Sequence, residues 1–387
     1  MLASFVFFWA CCGLLLYVYV LYPVAIELLA AWLGTRVKRG SALPTVTIIV
    51  TAYNEEECIR TKLTNLLALN YPPELFDILV VSDGSSDLTE EIAASYSPAR
   101  VRVVRLEGRR GKTACQNAAA SVASREILVF TDATTRLQSD ALRHLVEGFA
   151  DDTVGCVGGL LVYISEVDNA TGREGETYWS YELRLRAAES ALGSLIGVSG
   201  CLYAVRRSAY RPIDPALISD FVIAMKMREQ GLRTVLAPHA VCFETTLQRA
   251  GQELSMRVRV AIRSLNALIR ERRFLNLVKY KCFAWQLWSH KVLRYASPLL
   301  WLGAFAANLA LVSAPLAVPE HRFYLLLLVL QSLLLISGVV GFMLQNRQRK
   351  LGLFGKPYYF LLTNIASLLA TLRYLQGERM VIWNPIR

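Results

Sequence analysis

Apolar positions fall into three long charge-free runs at the ends of the chain and a series of short runs between them. Residues 1–26 precede the first ionisable side chain, Glu27, and residues 295–319 and 323–346 are charge-free over 25 and 24 positions. Each run exceeds the roughly 20 residues with which an α-helix crosses the hydrocarbon core, so each predicts a membrane-spanning helix. Residues 357–372 are uncharged over only 16 positions, which leaves a short span and an interfacial helix both open. The first run lacks the basic stretch that precedes the apolar core of a cleaved signal peptide. It reads as a retained anchor.

Between the ends, β-branched runs at 46–50, 78–82, 101–106 and 127–131 read as buried strands. The intervening segment 55–70 places apolar residues at 59, 63, 66 and 67, the spacing of an amphipathic helix, and Tyr71-Pro72-Pro73 ends it. Residues 87–96 and 113–123 fill the next two gaps, and a helix over 221–230 runs to Gly231. The alternation predicts an α/β domain of βαβ units with a doubly wound, mainly parallel sheet. Such sheets bind ligands beyond the carboxyl ends of their strands.

Composition and charge narrow the class. With 54% hydrophobic and 19% charged residues, against about 25% charged in soluble domains, a disordered chain, a nucleic-acid arm and an ordinary soluble enzyme are excluded. Four His and eight scattered Cys without a CxxC pair leave no zinc framework. The thiols beyond the first run read as reduced and cytosolic, Cys58 among them as an exposed one. Residues 36–248 hold 23 basic against 26 acidic side chains, whereas residues 249–294 hold 11 against 2, a balance of +9. Phe274, Phe283, Trp285 and Trp288 interleave the basic stretch. That composition suits interfacial helices on anionic lipid and can also receive a phosphorylated ligand; nucleic acid fits less well beside an acidic domain.

Arg36, Lys38 and Arg39 after the first run, with Arg347, Arg349, Lys350 and Lys356 after the third, predict that the central domain faces the cytoplasm. The chain therefore reads as an integral protein of the plasma (inner) membrane. Its expected divisions are an anchor at 1–35, a cytoplasmic domain at 36–248, basic interfacial helices at 249–294, and a membrane region of two or three helices at 295–387.

The strand ends carry the candidate chemistry. Thr51-Ala52-Tyr53-Asn54-Glu55 follows the first strand, Asp83-Gly84-Ser85-Ser86-Asp87 the second, and Asp132-Ala133-Thr134 the fourth. Singly, Asp83, Asp87 and Asp132 could be turn or cap residues; together they bring carboxylates to one crevice. Gly108-Arg109-Arg110-Gly111-Lys112 has two residues between its glycines rather than the four of a Walker A loop. Its Gly-Lys step into a helix can still offer amides and an ammonium to a diphosphate. No GxGxxG opens the first helix, which disfavours a dinucleotide.

In this order, TAYNEEE, VVSDGSSD, GRRGKTACQN, VFTDATT, GVSGCLYAVRR and ISDF resemble the family 2 glycosyltransferases. They are most similar to the membrane-embedded branch that includes cellulose and hyaluronan synthases, over roughly residues 44–265. The resemblance implies a GT-A-type nucleotide-sugar-binding domain with transmembrane helices at both ends. It places Ala52, Tyr53 and Glu55 around the nucleotide base, Asp83 at base or ribose, and Lys112 near the nucleotide. Asp132 would hold Mg2+ or Mn2+ on the diphosphate, and Asp220 would be the catalytic base of an inverting transfer. The family's aspartate-x-aspartate motif is reduced here to Asp132-Ala133-Thr134, and its QxxRW motif is missing. Arg257, Arg259 and Arg263 are the nearest substitutes at diphosphate or acceptor.

The implied partners are a nucleotide-sugar donor, UDP-linked, a growing glycan or lipid-linked acceptor, and the bilayer, with no nucleic acid. A membrane partner or homo-oligomer would widen the narrow path that so few spans can line. The two motif departures leave open a non-catalytic scaffold subunit that keeps a nucleotide-sugar-binding domain. A transporter is disfavoured, because spans without charge offer no ion or substrate site.

Overall fold

The first apolar run is a single 32-residue helix made of α1 Leu2–Leu16, a π-helical turn and α2 Tyr22–Leu33. A computed structural model describes this chain over residues 1–164, 170–245, 250–315, 318–345 and 352–380. The β-branched runs follow as β1 Val46–Ala52, β2 Phe76–Ser82, β3 Val101–Arg105 and β4 Ile127–Asp132, joined by α3 Glu56–Leu67, α4 Thr89–Ala94 and α5 Lys112–Val122. Side chains alternate across the sheet. Ile48 and Val50 pack with Ile59, Leu63 and Leu66 of α3 on one face, and Ile49 packs with Cys115 and Ala119 of α5 on the other.

The second half of the domain runs β5 Arg136–Leu137, α6 Ala141–Val146, β6 Val154–Ile164, α7 Ala170–Leu192, β7 Leu202–Arg206, α8 Ser219–Glu229 and β8 Arg233–Thr245. The strand order is β3-β2-β1-β4-β7-β6-β8-β5. The first four strands are parallel, as is β6 with β8, while β7 runs against both β4 and β6, and β5 against β8. The sheet is thus the doubly wound one expected, with its far half mixed in direction.

Beyond it lie α9 Ala250–Arg270, α10 Leu277–Leu287, α11 Leu293–Val312, α12 Val318–Gln345 and α13 Gly355–Leu375. Among the described residues, three helical stretches are long and apolar enough to cross a membrane: Leu2–Leu33, Leu277–Val312 and Glu320–Leu344. The second begins well before the charge-free run at 295, because its polar side chains find partners on α7. His290 Nδ1 meets Glu189 Oε1 at 2.7 Å and its Nε2 meets Glu182 Oε1 at 3.0 Å, while Arg294 pairs with Glu182 at 3.0 Å. Tyr22 of the first helix donates to the same Glu189 oxygen at 2.7 Å. Two membrane helices are thereby pinned to the α/β domain. The 16-residue apolar stretch becomes the 21-residue α13, whose Ala366 and Ala370 pack on Val258, Ala261 and Ile262 of α9. Arg347, Arg349 and Lys350 lie outside the described residues.

Candidate functional site

Parallel register brings the strand ends level, pairing Ala52 with Ser82 and Thr51 with Asp132. The strand order reverses between β1 and β4, the switch point at which a doubly wound sheet opens a crevice.

On one side of the crevice, two turns are tied together. Asn54 takes a left-handed φ of 52°, so that its amide donates to Ser85 Oγ at 3.1 Å and its side-chain carbonyl accepts from the Ser86 amide at 2.8 Å. The Arg109 guanidinium lies 3.6 Å from the Tyr53 ring centre. Glu55 is buried, its amide donating to Thr89 Oγ1 at 2.7 Å. Asp83 is buried as well, and its carboxylate receives the amides of Arg110 at 2.7 Å and Gly111 at 3.0 Å. Gly111 has a φ of +87°, which a side chain would resist. Asp87 accepts from the Thr89 amide and hydroxyl at 3.1 and 2.5 Å, so it holds the turn that leads into α4, whose cap position is Leu88.

These contacts fix the start of α5 and deliver Lys112 into the crevice. Its ammonium pairs with Asp132 Oδ1 and donates to the Gly200 carbonyl at 3.1 Å. Burial pulls the Lys112 pKa down, but the acidic groups around it, Asp132 foremost and Asp220 among them, together hold it above the usual lysine value. Because β7 runs against β4, with Leu202 opposite Thr131, the chain entering β7 arrives beside Asp132. A β-carbon on Gly200 would stand 2.7 Å from Asp220 Oδ2 and 3.3 Å from Lys112 Nζ. Both charged groups therefore rest on that glycine. Gly200→Ala is expected to displace them and cut turnover by on the order of 10²-fold, the cost of about 1 Å of misplacement; steady-state kinetics with an unchanged melting temperature would check it.

Asp220 stands in the first turn of α8, whose cap position is Ile218 and carries no side-chain cap bond. Asp220 is therefore not the cap of this helix. Burial raises its pKa above the ordinary carboxylate value, against the pull of Lys112 and Arg263. Arg263 is 8% exposed, and its Nε has no hydrogen-bond partner among the described residues. The three arginines of α9 separate: Arg263 and its neighbour Arg259 share one electrostatic environment, while Arg257 pairs with Glu253 at 2.8 Å and with the Tyr359 hydroxyl. Arg257 joins α9 to α13.

Two residues of the site escape the sequence reading. Lys62 of α3 is 2% exposed, and its ammonium donates to Thr131 Oγ1 at 2.8 Å, the Thr135 carbonyl at 2.7 Å and Thr135 Oγ1 at 3.1 Å. It staples the turn that carries Asp132, and burial lowers its pKa to about 7 against the opposing charge of Asp132. Its signal was a lysine one turn from Ile59, on the face that also holds 63 and 66. Lys62→Met is expected to lower the melting temperature, since it leaves the buried Thr135 carbonyl without this donor at a cost of about 1–3 kcal/mol. The same variant should lose metal-dependent nucleotide affinity as the turn comes loose, which calorimetric titration would read. The second residue, Glu244 at the end of β8, accepts from Thr134 Oγ1 at 3.4 Å and from the Cys201 thiol at 3.7 Å. No local pattern marks it.

Residues 47–213 match the family model described as Glycosyl transferase family 2. Over 248 residues the chain is 28% identical to the poly-beta-1,6-N-acetyl-D-glucosamine synthase of Staphylococcus aureus (strain COL), covering 62% of this chain and 58% of that protein. The Staphylococcus epidermidis synthase is 26% identical over 246 residues, with coverage of 61% and 58%. The chain thus spans about 58% of the length of the curated relatives it matches. Among solved structures, the mannosyltransferase PcManGT from Pyrobaculum calidifontis, in complex with GDP-Man and Mn2+, shares the fold. The TM-score is 0.74 at 23% identity, covering 96% of this chain and 99% of that one.

Proposed function

We propose, from the match of residues 47–213 to the family 2 glycosyltransferase model, a membrane-bound inverting enzyme. It moves a sugar from a nucleotide-sugar, UDP-linked, to a growing polysaccharide or a lipid-linked acceptor. The observation that carries this reading is the convergence of Lys112 and Asp220 on Gly200 in the switch-point crevice, with Asp132 paired to Lys112. The domain divides as 36–248 for transfer, 249–294 against the bilayer surface, and membrane helices at either end.

Tyr53, Glu55 and Asp83 line the nucleotide side, with Arg109 over the Tyr53 ring. Asp220 takes the proton of the acceptor hydroxyl while its oxygen attacks the anomeric carbon from the face opposite the diphosphate. The bond from that carbon to the diphosphate oxygen breaks, and the configuration inverts. Lys112 and Arg263 offset charge on the departing diphosphate. Among the described residues no three His, Cys, Asp or Glu side chains gather into a metal cage. Asp132 nonetheless supplies a hard oxygen, and Mg2+ in nucleotide sites commonly rests on one or two carboxylates plus phosphate oxygens and water. The residues fit Mg2+ or Mn2+, which when bound neutralises the diphosphate as a leaving group.

Two experiments test the reading. Product length from an active donor separates a polymer from a single addition to a lipid. Sidedness requires a new thiol, because Cys58 is not the exposed probe its sequence position suggests. Its thiol donates to Glu55 Oε2 at 3.0 Å, and burial together with that bond pushes its pKa up to about 12. Ser97→Cys, at an exposed position, is expected to react with an impermeant maleimide only after the cytoplasmic face is opened. Labelling from outside intact cells would reverse the topology.

A further inference from the structure

We propose that Glu244 is the second carboxylate of the divalent-cation site, brought in by β8 to stand in for the one absent at Thr134. The proposal rests on the reading of Asp132 as a metal ligand. Thr134 follows Asp132 by two residues, where a paired aspartate would supply the second ligand. A threonine hydroxyl is neutral and gives a cation far less. The fold supplies the missing charge from 110 residues away.

The backbone sets this up before any side chain is considered. β5 and β8 pair antiparallel, with Arg136 opposite Phe243 and Leu137 opposite Cys242. Continued by one step, that register sets Glu244 opposite Thr135, the neighbour of Thr134. The side chain completes the approach, since Glu244 Oε1 accepts from Thr134 Oγ1 at 3.4 Å. Its other oxygen faces the Cys201 thiol at 3.7 Å, next to Gly200, whose carbonyl holds Lys112. Glu244 therefore shares one environment with Asp132 and Lys112.

Its partners identify what it lacks. Both are weak neutral donors at long distance, and among the described residues no Lys, Arg or His forms an ion pair with Glu244. Both contacts border Asp132, since Thr134 lies two residues beyond it and the Cys201 carbonyl accepts from Thr131 Oγ1 at 2.9 Å, one residue before it. Two carboxylates held together at a half-buried site repel unless a cation lies between them. Lys112 already engages Asp132, and no described residue does the same for Glu244. A hard divalent ion sharing the two carboxylates with the diphosphate oxygens answers both demands.

The test is Mn2+ binding by electron paramagnetic resonance on the full chain in nanodiscs, with UDP and, in parallel, GDP. Glu244→Gln is expected to weaken Mn2+ binding by more than the roughly 10–100-fold that loss of an outer-shell partner costs. Thr134→Asp placed in the Glu244→Gln protein should bring affinity back to within about threefold of the original chain, since it moves the carboxylate to the other strand. Glu244→Asp, which keeps the charge and is read beside melting temperatures, should fall between the two and guards against a folding defect. Unchanged Mn2+ affinity in Glu244→Gln, or no recovery on adding Thr134→Asp, would overturn the role of Glu244 alone. An unsubstituted chain that binds Mn2+ with neither nucleotide would overturn the metal reading with it.

Discussion

Asp220→Asn is expected to lower the transfer rate by about 10²–10⁴-fold, the usual worth of a general base, with donor affinity within about threefold of the original chain. The substitution keeps shape and much of the hydrogen-bonding capacity while removing basicity. If the residue were only a helix cap, asparagine would serve nearly as well, but α8 is capped at Ile218 without a side-chain bond. Asp220 instead rests on Gly200 beside Lys112. The direction of its pKa shift suits a general base. Burial raises it, Lys112, Arg263 and Lys291 draw it back, and Asp132 adds to the rise. Activity in the unsubstituted chain should fall as pH drops through that raised value, because the base must be ionised to accept a proton. The acid limb should be missing from the residual activity of Asp220→Asn. A purified variant within about fivefold of the original rate would return Asp220 to a structural role.

Asp132→Ala is expected to cost more, on the order of 10³-fold or beyond in rate, together with metal-dependent nucleotide binding. Several kcal/mol of leaving-group stabilisation go with the cation. The substitution also frees Lys112, whose ammonium is held between Asp132 and the Gly200 carbonyl. An ammonium stripped of its carboxylate loses the fixed position from which it would meet a diphosphate. Equilibrium dialysis of nucleotide with and without EDTA separates the two losses. Full activity of the unsubstituted chain in chelator would contradict the assignment of Asp132.

How far this site could be read in the sequence follows from which contacts are local. β1 to β4 were legible because parallel strands buried on both faces appear as unbroken apolar runs. β6 was not, since Gly155, Gly158 and Gly159 interrupt it and its pairing with β8 joins segments about 80 residues apart. Lys112, Asp132 and Asp220 lie in recognisable segments at strand ends or helix starts. Lys62 and Glu244 reach the site only through tertiary packing and strand register, so no local motif announces them. Arg263, rather than Arg257, proved to be the guanidinium beside Asp220, because helical periodicity alone cannot say which face α13 covers. The second membrane helix began earlier than its charge-free run for a similar reason. Glu182 and Glu189, on an element distant in sequence, pair with the histidine and arginine that lie between Leu277 and that run.

The most direct test of catalysis is nucleotide release from a panel of nucleotide-sugars by the full chain in native-like bilayers. At least one donor should yield its nucleoside diphosphate in Mg2+ or Mn2+, with release abolished by EDTA and reduced at least 10²-fold by Asp220→Asn. Binding of nucleotide and metal without release from any donor, with glycan and lipid acceptors supplied, would contradict it and leave a nucleotide-sugar-binding scaffold in place of an enzyme.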